Sequence, residues 1–170
     1  MIQTNPVTQV IRKIEKRDIL DIKEILENSN NFNIEEIECA LDIVNTYFNN
    51  HTQNDYKFVC YEHNNRVIGY ACYGPTPITR GTFDLYWICV NPEFQNCGIG
   101  TRLLREVEKN IIDSNGRLIV VETSSHEKYL SAVSFYKRNK YSIVAVIENF
   151  YCEGENKIIL LKRLISQNFE

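Results

Sequence analysis

Glycine and proline are scarce in this chain, 7 and 4 among 170 residues, which excludes a collagen-like repeat and a low-complexity linker. Long apolar runs are missing too. The longest, Leu85–Val90 and Ile143–Ile147, fall far short of the roughly 20 residues a membrane helix needs. There is no excess of basic charge: 19 Lys and Arg stand against 22 Asp and Glu, a formal charge of −3. Neither a nucleic-acid surface nor an anionic membrane surface is therefore expected. Residues 1–6 lack a basic region followed by an apolar stretch, so no secretory signal is expected. The six cysteines include no Cys-x-x-Cys pair, and His51, His63 and His126 are far apart, so no metal site is expected. The cysteines read as buried or half-buried free thiols, Cys60, Cys72, Cys89 and Cys152 lying in or beside strands. Asn50-His51-Thr52 reads as a chance sequon.

What is present suits one soluble, cytoplasmic domain spanning residues 1–170: 44% hydrophobic and 24% charged, enough for a single core. Val10–Ile14 reads as a first strand, and Asp18 as the cap of a helix with Ile19, Ile22, Ile25 and Leu26 on one face. A second helix is expected over 34–48, with Ile34, Ile37, Leu41, Val44 and Phe48 in phase. The period then changes to two. Tyr56–Tyr61 and Val67–Tyr73 form a hairpin around His63–Arg66, and Thr82–Val90 is a further strand ended by Asn91-Pro92. Ile99–Ile112 is an amphipathic helix closed by Asn115-Gly116. Arg117–Glu122 reads as a strand covered on both faces. A helix over 129–138 and strands near 141–147 and 157–164 complete the order βααβββαβαββ. The class is α/β, an α+β mixed sheet with helices on both faces.

The segment Val90-Asn91-Pro92-Glu93-Phe94-Gln95-Asn96-Cys97-Gly98-Ile99-Gly100-Thr101 carries the clearest chemistry. A strand ends, a short loop follows, and two glycines stand where a helix opens. The N–H groups of a first helical turn have no partner within the helix and attract an anion, and glycine lets a phosphate approach the backbone. The spacing matches neither the Walker loop nor the dinucleotide fingerprint.

Gln95-x-x-Gly98-x-Gly100, behind a strand ending Ile88-Cys89-Val90-Asn91-Pro92, resembles the acetyl-coenzyme A signature of the GNAT superfamily of N-acetyltransferases. The strand order is similar, as is the block Ala132-Val133-Ser134-Phe135-Tyr136-Lys137-Arg138, which resembles the family's late helix bearing a tyrosine. The resemblance implies a sheet splayed between its fourth and fifth strands. It also implies acetyl-CoA as acyl donor, held by Ile88, Cys89 and Val90 along the pantetheine arm. The diphosphate would rest on Gln95, Asn96, Cys97, Gly98, Ile99, Gly100 and Thr101, and the Val90 amide would stabilise the oxyanion.

Transfer from a thioester to an amine requires a neutral amine, a stabilised oxyanion and a proton for the leaving thiolate. By resemblance Tyr136 is the general acid; a phenol of pKa about 10 can protonate a thiolate whose acid has a pKa of about 8.5. Glu122 is the candidate base at the mouth of the splay, with Asp84 as the runner-up. Asp84 and Tyr86 share a strand face and, with Tyr151, are expected to line the acceptor pocket. The acceptor is a small-molecule or peptide amine, and net acidity near the pocket suggests a cationic one. The resemblance also implies a homodimer, which relatives often form through the late strands, but no exposed stripe is legible here. The family's usual Asn seven residues before the tyrosine is Tyr129 here, and its Gly-Phe after the helix is Lys140-Tyr141, with Asn139 expected to support the turn. The spacing from Glu122 to Tyr136 is about two residues longer than in members acetylating protein N-termini. No histidine stands near Cys97, so direct transfer without an acyl-enzyme is expected. The other reading is a non-catalytic module of the same fold that binds acetyl-CoA for sensing or assembly.

Overall fold

A computed structural model describes residues 9–29, 31–50 and 52–164. Residues 1–6 and His51 of the sequon lie outside the described residues. Among the described residues, seven strands form one mixed sheet in the order β1-β2-β3-β4-β5-β7-β6. The strands are β1 (Gln9–Arg12), β2 (Lys57–His63), β3 (Arg66–Pro75), β4 (Thr82–Val90), β5 (Leu118–Ser124), β6 (Ser142–Cys152) and β7 (Glu155–Arg163). Four α-helices accompany them: α1 (Ile19–Asn28), α2 (Ile34–Asn49), α3 (Ile99–Asp113) and α4 (Leu130–Arg138). The chain divides into two compact units. The first takes the described residues up to Gln53 with Lys57–Cys72 and Trp87–Glu106; the second takes Asn54–Tyr56, Tyr73–Tyr86 and the chain from Val107.

In the first unit, α1 buries Ile22, Ile25 and Leu26. Asp18 does not cap α1 through its side chain. Its carboxylate instead accepts the Glu15 N–H at 2.7 Å and two N–H groups of Arg12 at 2.7 and 2.9 Å, closing the 3-10 turn Lys16–Asp18. Arg12 also donates to Glu62, so one guanidinium offsets two buried carboxylates. Burial pushes Asp18 up, but Arg12 and the Glu15 amide outweigh it and hold the carboxyl below its usual range. Helix α2 opens on Asn33, whose side chain accepts the Glu36 N–H while Glu36 reaches back to Asn33 N, a capping box. Its buried residues are Ala40 and Val44, whereas Ile34 is exposed, because the first turn projects past the packed stripe. The β2–β3 connection is a two-residue turn with Asn64 and Asn65 both at positive φ (50° and 63°), the hand that matches strand twist.

In the second unit, β4 and β5 run parallel and pair Thr82 with Leu118, Phe83 with Ile119 and Asp84 with Val120. No pair follows Asp84–Val120, although β4 continues to Val90 and β5 to Ser124. Strand β5 buries Ile119 and Val121 but leaves Leu118 and Val120 half-exposed, so only one face of it is fully covered, contrary to its apolar sequence. Helix α3 buries Leu103, Leu104, Val107 and Ile111 and ends in a Schellman turn. There Gly116 N donates to Ile111 O at 2.8 Å and Asn115 N to Ile112 O at 2.9 Å. The left-handed residue is Asn115 (φ 57°). Gly116 is required for space, since a Cβ there would lie 2.2 Å from Ile111 Cγ2.

Helix α4 ends the same way, with Tyr141 N on Tyr136 O and Lys140 N on Lys137 O, both at 3.0 Å. Its left-handed position falls on Lys140 (φ 68°), not on Asn139, whose side-chain amide instead donates to Phe135 O at 2.9 Å. All of β6 is exposed, including Ile143, Val144, Val146 and Ile147, and it forms one edge of the sheet. This supplies the exposed apolar strand that the sequence does not reveal. All six cysteines are free; Cys60, Cys72 and Cys89 are buried, whereas Cys152, expected to be covered, is exposed with Cys39 and Cys97. Among the described residues, no helix is long and apolar enough to cross a membrane, and no group of three or more His, Cys, Asp or Glu could hold a metal.

Candidate active site

The loop expected to hold the cofactor lies in the first unit. Asn91 N donates to Ile68 O at 2.9 Å, which carries the end of β4 along β3 before the chain turns. The Asn91 side chain then accepts the Glu93 N–H at 3.1 Å and starts the 3-10 turn Pro92–Phe94. The Gln95 side chain donates back to Val90 O at 3.2 Å, tying the loop to the last residue of β4. Asn96 (φ 60°) and Gly98 (φ 79°) both adopt the left-handed conformation and flank the exposed Cys97. Arg102 N donates to Gly98 O at 3.1 Å; the N–H groups of Ile99, Gly100 and Thr101 precede that first helical bond. A Cβ on Gly98 would meet nothing within 4 Å, so glycine is needed there for its φ and leaves open space above the helix start.

Ile99 is buried and anchors the loop, while Gln95, Asn96, Cys97 and Gly98 are exposed. Cys89 faces the core, where burial pushes its thiol up to about 11, against a lowering by Ser29 and the Val90 backbone. Its contribution to a ligand would therefore come from its backbone. A Cβ on Gly69 of β3 would stand 3.2 Å from Cys89 O and from Leu103 Cδ1, which shows how closely β3 underlies this corner. Arg102 donates to Tyr61 Oη at 3.0 Å and fixes the first turn of α3 against β2. This arrangement can bind a diphosphate through backbone donors, with no cationic side chain required.

The second unit holds the remaining candidates. Asp84 is half-buried, and its carboxylate accepts the Thr76 hydroxyl at 2.8 Å. Tyr86, two residues on, meets Tyr56 edge-on with ring centroids 5.6 Å apart. Tyr136 is buried, in edge contact with Phe135 (5.2 Å) and Tyr141 (5.5 Å). Tyr141 in turn donates to Glu108 at 3.2 Å, and Lys162 sits on that carboxylate at 2.7 Å. Tyr129 ends the 3-10 turn Glu127–Tyr129 that leads into α4.

Glu122, the candidate base, has a side chain 51% exposed that accepts from Lys157 Nζ at 2.6 Å. Lys157 also lies 3.9 Å from the centre of the Phe150 ring, and Tyr151 stands edge-on to Phe150 at 5.0 Å. Thr76, Phe150 and Lys157 belong to no motif, and sequence reasoning passes over them. The one available signal is the Asn149, Gly154, Asn156 cluster, whose turn chemistry marks an irregular hairpin.

Residues 54–143 match the family model described as an acetyltransferase (GNAT) domain. A crystal structure of a protein from Desulfovibrio desulfuricans, assigned to the GNAT family of acetyltransferases, superposes with a TM-score of 0.89 at 37% identity, covering 92% of this chain and 99% of that one. The chain therefore belongs to the GNAT family of acetyltransferases. More distant structures share the fold. The ribosomal-protein-S18-alanine N-acetyltransferase of Escherichia coli has a TM-score of 0.71 at 17% identity, covering 96% of this chain and 99% of that one. The PaiA N-acetyltransferase of Thermoplasma acidophilum, solved in complex with coenzyme A, has 0.69 at 20%, covering 92% and 99%. No curated protein matches the chain.

Proposed function

We propose that residues 1–170 act as one cytoplasmic N-acetyltransferase domain that passes an acetyl group from acetyl-CoA to a primary amine within a ternary complex. The observation that carries this reading is the loop at the end of β4. Two left-handed residues, Asn96 and Gly98, turn the chain into a helix whose first N–H groups precede its own bonding. A diphosphate is the ligand that such a backbone nest recognises. The pantetheine arm would lie along Ile88, Cys89 and Val90, with the Val90 amide donating to the oxyanion as the carbonyl becomes tetrahedral. The end of the β4–β5 pairs at Asp84 and Val120 supports a sheet that opens to admit it.

In the transfer, the amine nitrogen attacks the thioester carbon, the carbon–sulfur bond breaks, and the thiolate takes a proton from Tyr136. Glu122 is assigned the amine's proton. Asp84 lines the pocket with Tyr86 and Tyr151, its carboxylate aimed by Thr76. A cationic acceptor suits these carboxylates. The homodimer is supported by β6, an edge strand with neither lysine nor proline to blunt it and with apolar side chains exposed along its length. Sedimentation should give twice the chain mass at micromolar concentration, and one chain mass for Val146→Lys.

The deciding test of activity is free-thiol release from acetyl-CoA with a panel of small amines and peptides. Release dependent on an amine, abolished in Tyr136→Phe, is the expected result. Tight binding of acetyl-CoA with no release for any acceptor would instead make the protein a non-catalytic binding module.

A further inference from the structure

Strands β6 and β7 depart from regular pairing at one place. Ile147 pairs with Lys157 and Cys152 with Glu155, so residues 148–151 stand opposite Asn156 alone. The excess chain is held by side-chain bonds. Asn149 (φ 53°) donates its N–H to Asn156 Oδ1 at 2.9 Å, and Gly154 N–H donates to Asn149 Oδ1 at 2.8 Å. Asn156 is itself fixed to the residue that follows β5, its N–H donating to Ser125 Oγ at 2.9 Å. A bulge pinned in this way re-aims side chains, and here it brings the Phe150 ring over Lys157.

The result is a primary ammonium in contact with both a carboxylate (Glu122, 2.6 Å) and an aromatic face (Phe150, 3.9 Å). That is the chemistry by which proteins recognise alkylammonium ligands. Burial is distributed unusually. The Lys157 side chain is only 15% exposed, while Glu122 is 51% and Phe150 48% exposed. Carboxylate and ring are both open to solvent, and the cation between them is the best covered of the three. An incoming amine would find a complete cation site already filled by the chain itself.

We propose that Glu122 and Phe150 form the cation subsite of the acceptor and that Lys157 is its built-in occupant, competing with the acceptor's ammonium and so setting its affinity. This rests on the assignment of Glu122 to the amine. The acceptor's ammonium displaces Lys157, takes its place on the carboxylate and ring, and Lys157 moves to solvent on its flexible stem. A lysine serving only to stabilise the hairpin would act in the opposite direction, its loss loosening the site.

The test is calorimetric titration of n-butylammonium into protein saturated with coenzyme A, with steady-state kinetics on the same amine. Lys157→Met keeps the stem and removes the charge; it should bind n-butylammonium about tenfold more tightly and lower KM with little change in kcat. Lys157→Arg, which keeps a cation in place, should behave as wild type. Adding Phe150→Ala or Glu122→Gln to Lys157→Met should abolish the gain. The proposal is overturned if Lys157→Met, folded and binding coenzyme A normally, binds the amine no better than wild type, or if its gain survives Glu122→Gln. Loss of coenzyme A binding in the wild-type protein would overturn the acetyltransferase reading instead, so the two failures are separable.

Discussion

The loop before α3 and the β5–β7–β6 layer specify their chemistry in different ways. Residues 91–101 offer backbone features: two left-handed residues, an Asx-type turn at Asn91, and N–H groups at a helix start. Their side chains are mostly exposed or half-exposed, with Ile99 buried in the core. The layer that holds Glu122 and Lys157 offers side chains instead: a carboxylate, an ammonium and aromatic rings placed by pairing register and a bulge. Backbone demands leave a pattern in sequence because few residues tolerate them. Side-chain meetings across strands leave almost none, because register and bulges are set by the whole sheet.

The largest expected effect lies in the second unit, on α4. Tyr136→Phe removes one hydroxyl from a buried ring and should lower kcat about a thousandfold, the scale of general-acid catalysis, with coenzyme A affinity unchanged. Parallel losses in kcat and coenzyme A affinity would mean that Tyr136 only packs.

The carboxylates extend the contrast. Asp18 in the first unit is buried and clamped by Arg12, whereas Glu122 in the second is half open to water. Asp18→Asn should cost about 3 kcal/mol at neutral pH, as expected when one member of a buried ion pair is removed. Because the folded carboxyl titrates below the unfolded value of about 3.9, this stabilisation is complete above that pH and is lost as pH falls through the lower folded value. Chemical denaturation at pH 7 and at pH 3 should therefore show the deficit shrinking in acid. A constant deficit would assign it to packing.

Lys140→Gly should raise stability by about 1 kcal/mol, because Lys140 holds a left-handed φ of 68° at the end of α4. Thermal melting checks this, and a lower Tm would mean that the lysine side chain has a role of its own. The smallest effect is expected at the exposed Cys97: Cys97→Ala should leave turnover and coenzyme A affinity unaltered, as the proposed backbone role of the loop requires. Loss of turnover with binding intact would make Cys97 a nucleophile.

Much of this molecule could be read before its structure. The helices, the Asn64-Asn65 turn, the limits of β4 and the glycine loop follow from periodicity and from residues with special backbone freedom. The misreadings share a cause. Ile34 is in phase with its helix yet lies beyond the packed stripe, and β5 is apolar enough to read as covered on both faces yet leaves Leu118 and Val120 half-exposed. Apolar pattern reports what can be buried, not what is there to cover it. Lys140 in the left-handed position and Lys157 on Glu122 are likewise invisible, because lysine carries no backbone or pairing signature of its own.

The central claim is most directly tested by calorimetry of coenzyme A and of pantetheine, which lacks the diphosphate, on wild type and Gly98→Val. Wild type should bind coenzyme A well above pantetheine. Gly98→Val, forced from its φ of 79°, should lose at least about tenfold, roughly 1.4 kcal/mol, for coenzyme A and nothing for pantetheine. Equal affinities in wild type, or a variant that holds coenzyme A as tightly as its parent, would contradict a diphosphate held by the loop's backbone.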